Sequence, residues 1–263
     1  MIVDAHTHIM CPDRDRYPVQ ATGQGSNWWE TGGDVTELRA AMDANGIDRA
    51  VLVQAMAVYQ SDCRCAADTA AADPQRFALV TGVDMDGDDP AATVRDHALL
   101  GATGVRLMAF RTRTNAWLTD GRGNEVWTAA AETGLVIVAM AGPETFDDLL
   151  ALCATVPHVP VAVDHAGSYR QRDDAGLVRL AQAPSVHLKV TTTNLKAPDA
   201  REWFEGLVDA YGAERLCWGS DFPQTTMRPY SAMLELARAA TVGLDDEQRA
   251  AYFGGNSARL WWR

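Results

Sequence analysis

The sequence predicts an α/β fold in which eight parallel strands and their helices form a (β/α)8 TIM barrel, as a single domain over residues 1–263. Two observations support this prediction. Eight short apolar runs rich in β-branched residues recur along the chain, and most are followed by a polar loop and a helical segment with recognisable caps. The chain also lacks a glycine-rich first turn of the G-x-G-x-x-G kind, which the runner-up fold, an open doubly wound sheet, would contain.

The predicted strands are apolar on both of their alternating faces. They lie in the runs MIVDAHTH, DRAVLVQA, FALVTGVD, GVRLMAF, LVIVAMAG, VPVAVDHAG, VHLKVTT and RLCWGSDFP. This pattern is typical of parallel strands that helices cover on the outside and that pack against one another inside.

The predicted helices carry start and stop signals. In GGDVTELRAAMDANG, we expect Asp34 to cap the helix, Glu37 to reach back to its amino end, and Gly46 to take the left-handed position that ends it. Pro90 and Pro143 are expected in first helical turns, where a missing N–H leaves no hydrogen bond unmade.

Composition narrows the class of function. The formal net charge of −12 disfavours binding to nucleic acid or to an anionic membrane surface, and no apolar run approaches the roughly 20 residues of a spanning helix. The amino end also lacks a signal-peptide pattern, so we expect a cytoplasmic protein. Its expected partner is a small-molecule substrate, and the sequence leaves open whether the chain forms a homo-oligomer.

The five cysteines form no CxxC pair, and Cys63 and Cys65 lie in a predicted helix, so reduced, buried thiols are expected.

Polar residues fall at the carboxyl ends of several predicted strands, which is where barrel enzymes carry their chemistry. His6 and His8 end the first run on the same side of the strand, Arg106 lies in the fourth, His165 ends the sixth and Asp221 ends the eighth. A single strand histidine is usually structural, and an aspartate before Phe-Pro often caps a helix. Because three of the six histidines and one aspartate meet at the same end of one barrel, the pattern favours a shared functional site.

Four motifs in this order resemble the amidohydrolase superfamily, in its amidohydrolase-related branch. They are the HxH of DAHTH, VDHAG, WGSDFP and the terminal GGNSARLW. The stretches VLVQAMAVYQSD and GVR are similar to the lactonase group of that branch, which includes 2-pyrone-4,6-dicarboxylate lactonases and sugar-acid lactonases.

The resemblance implies a hydrolase that opens a lactone, a cyclic carboxylic ester, of a small carboxylated substrate. Asp221 is the expected general base that activates water, and His6, His8 and His165 are expected to polarise the carbonyl, directly or through a metal. The alternative is a metal-dependent nonoxidative decarboxylase or another hydrolase of the same branch. A noncatalytic binding barrel would leave four convergent titratable groups without a use.

The sequence leaves two alternatives for the metal content, no metal or one divalent ion. Zinc is the first candidate for that ion. His6, His8 and Asp221 offer the N and O ligands of a catalytic zinc site. The sequence departs here from metal-dependent relatives of the decarboxylase type, in which strand five ends in a histidine ligand. LVIVAMAG offers Met140 or Ala141 at that point.

Substrate contacts are expected from Arg106, Arg111 and Arg113, whose guanidinium groups suit a carboxylate, and from Gln54 and Tyr59 on loops at the same face. The alternative for Arg111 and Arg113 is a solvated loop.

The long loop from about Cys11 to Gly33 contains Trp28 and Trp29. These tryptophans either fold over the mouth of the barrel as a lid or pack the loop onto it.

Overall fold

The strands of the barrel follow one another around a single sheet in chain order. The computed structural model describes residues 1–20, 28–30, 32–109, 115–167, 172–223 and 229–263. Within these residues eight parallel strands pair in the order β1 to β8. They are β1 (Val3–Thr7), β2 (Arg49–Val53), β3 (Phe77–Gly82), β4 (Gly104–Ala109), β5 (Val136–Ala141), β6 (Val161–Val163), β7 (Val186–Thr191) and β8 (Leu216–Gly219).

The segment after β8 joins the barrel to β1. The backbone N–H of Asp221 donates to the carbonyl of His6 at 2.9 Å, and the N–H of His8 donates to the carbonyl of Phe222 at 2.7 Å. Thr7 and Phe222 form a parallel bridge at the same place. The predicted (β/α)8 barrel is therefore confirmed. The end of β1 is hydrogen-bonded to the segment that follows β8.

Helices connect the strands and follow the last one. They are α1 (Val35–Asn45), α2 (Met56–Tyr59), α3 (Arg64–Ala72), α4 (Pro90–Leu99), α5 (Arg122–Thr133), α6 (Phe146–Thr155), α7 (Asp174–Leu180), α8 (Thr192–Leu195), α9 (Ala200–Tyr211), α10 (Tyr230–Ala240), α11 (Asp246–Ala250) and α12 (Asn256–Trp261). None of the helices in the described ranges is long and apolar enough to cross a membrane.

The predicted helix signals have physical counterparts. Asp34 accepts a hydrogen bond from the N–H of Glu37, and Gly46 ends α1 with φ 67°. The Glu37 carboxylate reaches back to the N–H of Gly33, one residue beyond the cap. Pro90 lies in the first turn of α4, whereas Pro143 opens a short 3-10 turn that leads into α6.

Two apolar layers hold the barrel together, because the strands are buried on both faces. The inner layer is filled by Ala5, Val51, Val53, Ala78, Val80, Val136, Val138, Ala162 and Cys217 together with Leu260 and Trp261 from the carboxyl-terminal helix. The outer layer packs the opposite strand faces against the helices. Each large apolar side chain buried in this way contributes about 1.5–3 kcal/mol.

The expectation of five reduced cysteines is wrong for two of them. Cys11, in the loop after β1, forms a disulfide with Cys65 of α3, while Cys63, Cys153 and Cys217 are buried thiols. Cys63 immediately precedes α3 rather than lying in it. The bonded partners are 54 positions apart, so no local spacing motif reveals the pair.

Candidate active site

Strand β1 presents two buried imidazoles at its carboxyl end. His6 lies in β1 and His8 follows it, and both side chains are shielded from solvent. Their rings meet edge to face, and the two Nε2 atoms are 3.2 Å apart. The predicted alternation of the strand therefore does bring both histidines to one spot.

His165 and Asp221 complete the cluster from β6 and β8. Each follows its strand on left-handed backbone, with φ 53° at His165 and φ 62° at Asp221. Such a conformation costs a non-glycine residue about 1–3 kcal/mol and persists only where the surroundings fix it. The sharp turns direct both side chains to the β1 histidines. The ring centroids of His6 and His165 are 4.8 Å apart. The Nε2 atoms of His6 and His8 lie 3.6 and 3.7 Å from Asp221 Oδ1.

Burial keeps the histidines of this cluster neutral. It lowers the pKa of His8 to about 3 and that of His165 to about 4, and it also holds the pKa of His6 well below the ordinary value. Burial has the opposite effect on the carboxyl group and raises the pKa of Asp221 to about 8 against the pull of Arg106. All four predicted residues are thus assembled in one buried cluster in which the charged forms are disfavoured.

The hydrogen-bond partners determine which ring nitrogen carries the proton. His8 Nδ1 lies 2.8 Å from the carbonyl oxygen of Val53, which only accepts, so Nδ1–H donates and Nε2 carries the lone pair. His6 Nδ1 lies 3.1 Å from Asp164 Oδ1. Burial opposes ionisation of Asp164, but Lys189, His6 and Arg106 together hold its pKa well below the usual range. A carboxylate at this distance favours the proton on Nδ1, which directs the His6 Nε2 lone pair at His8 and Asp221.

This arrangement fits a divalent metal ion. Two imidazole lone pairs 3.2 Å apart repel one another unless a cation lies between them. Asp221 Oδ1 is buried, and no group among the described residues donates a hydrogen bond to it. Two nitrogens and one carboxylate oxygen form the donor set of catalytic zinc sites, and His165 lies within reach, since ligand atoms of His6, His165 and Asp221 are all within 4.8 Å of one another.

A buried charge cluster contacts the site through Asp164, whose carboxylate lies beside His6. Asp164 Oδ2 accepts from Arg106 Nε at 2.8 Å, and Asp164 Oδ1 lies 3.2 Å from Lys189 Nζ. The Lys189 ammonium group also lies 5.0 Å from the centroid of the Trp261 ring. Asp164, Lys189 and Trp261 are almost fully buried.

Asp164 and Lys189 are not among the site residues predicted from the sequence. Both had a visible signal: Asp164 precedes His165 in VDHAG, and Lys189 interrupts an apolar strand in VHLKVTT. Only two of the 23 Lys and Arg residues are lysines, which makes an internal lysine conspicuous. Lysine is rarely fully buried without a partner.

The guanidinium group of Arg106 donates hydrogen bonds to three groups of the protein. Besides its bond to Asp164, it donates to the carbonyl of Gln54 at 3.3 Å and to Met140 Sδ at 3.3 Å. Met140 therefore receives a guanidinium N–H at the end of β5, where metal-dependent relatives of the decarboxylase type are expected to place a histidine ligand.

The other predicted substrate contacts have structural partners or lie outside the described residues. The Gln54 amide donates to the carbonyls of Gln60 and Asp62, and the Tyr59 hydroxyl accepts from the N–H of Cys11. Both side chains thus hold the loops after β1 and β2. Arg111 and Arg113 lie outside the described residues.

The question of a tryptophan lid is answered for one residue. Trp29 is 7% exposed and belongs to the outer apolar layer, which supports packing onto the barrel. The side chain of Trp28 and residues 21–27 lie outside the described part.

Fold and site together define a barrel enzyme whose histidines and aspartate converge from the carboxyl ends of strands one, six and eight. Residues 3–263 match the Amidohydrolase family model, and the chain belongs to this family. The prediction of a hydrolase of the amidohydrolase type, resembling its lactonase group, is confirmed.

Known relatives cover nearly the whole chain. An L-fucono-1,5-lactonase from Burkholderia ambifaria is 27% identical over 246 residues, covering 86% of this chain and 83% of the relative. The structure of an amidohydrolase from Burkholderia multivorans with bound zinc shares the fold at TM-score 0.79 and 21% identity, covering 99% of this chain and 98% of that one.

Two further solved structures show the same fold. A probable 2-pyrone-4,6-dicarboxylic acid hydrolase from Acinetobacter baumannii, with citric acid bound, has TM-score 0.81 and 16% identity, covering 100% and 99% of the two chains. A 2,6-dihydroxybenzoate decarboxylase from Rhizobium has TM-score 0.74 and 13% identity, covering 98% of each chain.

Proposed function

We propose that the protein hydrolyses lactones of sugar acids or similar small cyclic esters, with Asp221 as general base. The observation that carries this proposal is the position of Asp221, whose buried Oδ1 lies 3.6 and 3.7 Å from the two imidazole Nε2 atoms of β1. The L-fucono-1,5-lactonase relative supports the substrate class.

Asp221 performs the proton transfer in this proposal. Its carboxylate takes a proton from water as the water oxygen bonds to the lactone carbonyl carbon. It returns that proton to the ring oxygen as the carbon–oxygen bond breaks, which leaves an open hydroxy acid. Burial raises the pKa of Asp221 to about 8, and this value suits a base that must accept a proton and release it again.

His6 and His8 take part in this reaction as metal ligands. Because Nδ1 of His8 donates to a carbonyl and Nδ1 of His6 faces a carboxylate, their Nε2 atoms accept rather than donate. Direct polarisation of the substrate carbonyl by these imidazoles would need a donor, so the structure favours the metal-holding role predicted for His6, His8 and Asp221. When bound in such a site, a divalent ion supplies Lewis-acid polarisation of a carbonyl oxygen.

A sugar-acid lactone fits the described part of the site better than a dicarboxylate. Arg106, the buried guanidinium near the cluster, already binds Asp164, Gln54 and Met140. Recognition of a substrate carboxylate would rest on Arg111 and Arg113. The decarboxylase alternative has no specific observation in its favour, because Met140 replaces the expected strand-five ligand.

The proposal is tested by assaying hydroxy-acid release from L-fucono-1,5-lactone, other aldono-1,5-lactones and 2-pyrone-4,6-dicarboxylate, each against its uncatalysed rate. The protein is assayed as purified, after chelation and after zinc is restored, with zinc content measured by elemental analysis. A decarboxylation assay on 2,6-dihydroxybenzoate tests the alternative.

We expect saturable hydrolysis of at least one aldonolactone and none of the decarboxylation. Zinc-replete, folded protein that hydrolyses no lactone faster than buffer would refute the proposal. Hydrolysis of the dicarboxylate alone would move the substrate class to carboxylated lactones.

A further inference from the structure

His165 is contacted by two residues that neither the sequence motifs nor the proposed chemistry assigns. Thr191 ends β7, and Asn194 lies in α8, which follows directly. Thr191 is fully buried and Asn194 is 8% exposed. His165 Nδ1 lies 2.8 Å from Thr191 Oγ1, and the Asn194 side chain spans the space between Thr191 and the backbone of His165.

The direction of each hydrogen bond in this group follows from its backbone partners. The carbonyl of His165 only accepts, so the Asn194 atom at 2.9 Å from it is the amide nitrogen Nδ2. The backbone N–H of Thr191 only donates, so the atom it meets at 3.0 Å is Asn194 Oδ1. The amide of Asn194 is therefore held in one orientation from both ends.

This orientation determines the tautomer of His165. Thr191 Oγ1 lies 3.2 Å from Asn194 Oδ1, an oxygen that only accepts, so the hydroxyl proton is donated there. A hydroxyl has one proton, and Thr191 Oγ1 must then accept from His165 Nδ1. The proton of the neutral imidazole is on Nδ1, and Nε2 carries the lone pair.

The same asparagine also holds the backbone that aims the ring. His165 has φ 53° and ψ 31°, and Ala166 follows with φ 47°. The hydrogen bond from Asn194 to the His165 carbonyl ties this left-handed turn to α8. Thr191 and Asn194 thus control both the direction of the ring and the nitrogen that presents its lone pair.

We propose that Thr191, oriented by Asn194, is a positioning residue that holds His165 as its Nδ1–H tautomer and so makes Nε2 a ligand atom for the cluster of His6, His8 and Asp221. The tautomer follows from the hydrogen bonds of this chain. Its use as a ligand rests on the proposed function.

The matched pair of variants is Thr191→Val, which removes the hydroxyl with little change of shape, and Thr191→Ser, which retains it. The first readout is the nitrogen spectrum of histidine-labelled, metal-free protein, in which protonated and lone-pair nitrogens have different shifts. The chain has only six histidines, and a His165→Gln variant identifies the signal of interest. We expect the Nδ1–H pattern in the parent and in Thr191→Ser, and its loss in Thr191→Val.

The second readout is zinc affinity, measured by competition with a chelating dye. Loss of a residue that orients a metal ligand typically costs about 10–100-fold in affinity or activity. We expect such a loss for Thr191→Val, with kcat falling more than KM rises, and near-parent values for Thr191→Ser.

An Nε2–H pattern for His165 in the parent would overturn the inference. So would a Thr191→Val protein with the parent tautomer and the parent zinc affinity. The expected spectra together with an absence of lactone hydrolysis in the parent would support the inference and refute the proposed function instead, so the two failures are distinguishable.

Discussion

Neutralising Asp164 should destabilise the protein strongly, because this carboxylate is the counter-ion of two buried cations. Arg106 Nε lies 2.8 Å and Lys189 Nζ 3.2 Å from its oxygens, and Asp164 and Lys189 are fully buried. Removing one partner of a buried pair costs about 3–5 kcal/mol. With about 2.1 cal/mol/K of unfolding entropy per residue, or about 0.55 kcal/mol/K here, Asp164→Asn should lower Tm by about 5–9 °C.

The assay is thermal unfolding followed by circular dichroism, at one scan rate and with chelator present so that metal binding does not contribute. The exposed pair of Arg201 and Glu205, with N···O 3.0 Å, supplies the control. Glu205→Gln should shift Tm by less than about 2 °C, since exposed pairs contribute little.

A second substitution tests whether the lower Tm comes from the cations that Asp164→Asn leaves uncompensated. Adding Lys189→Met to Asp164→Asn removes one of the two uncompensated cations, so the double variant should melt above Asp164→Asn alone. A shift below 2 °C for Asp164→Asn, or a double variant that melts below the single one, would show that the cluster does not stabilise the barrel as its distances indicate.

Three further predictions concern the site and the covalent link. Asp221→Asn should lower kcat by about 10²–10⁴-fold with little change in the Tm of the metal-free protein, and kinetics near those of the parent would exclude Asp221 as the base. Because the ionised form of Asp221 accepts the proton and burial raises its pKa to about 8, residual kcat/KM of metal-free protein should rise with pH and level off above that value. Added zinc should move this rise to lower pH, since a nearby cation favours the carboxylate; a pH-independent rate in both forms would contradict the assignment. Zinc at about 100 times its Kd should raise the Tm of stripped protein by about 5 °C but should leave His8→Gln nearly unchanged, and equal shifts in both proteins would place the ion elsewhere.

The barrel was predictable because its determinants are local and repeated. Each strand is an apolar run, and the caps at Asp34 and Pro90 mark helix starts within a few residues of sequence. The convergence of His6, His8, His165 and Asp221 followed from the rule that parallel strands end at one face.

The remaining features depend on contacts that no local pattern encodes. The pairing of Asp164 with Lys189 joins the turn after β6 to β7, and the orientation of His165 depends on Thr191 at the end of β7 and Asn194 in α8. The loop-holding hydrogen bonds of Gln54 and Tyr59 also illustrate this limit, since residue type and loop position do not show which groups a polar side chain contacts.

The disulfide between Cys11 and Cys65 closes a covalent ring that contains α1, β2, α2 and the first residues of α3. Closing a ring of this size removes unfolded-chain entropy worth about 4 kcal/mol in the simplest loop model. A single backbone cut between the two cysteines would leave both fragments joined until a reductant is added. The segment between the two cysteines, which contains β2, is therefore held by the disulfide as well as by packing. A reductant removes the covalent link and leaves the packing.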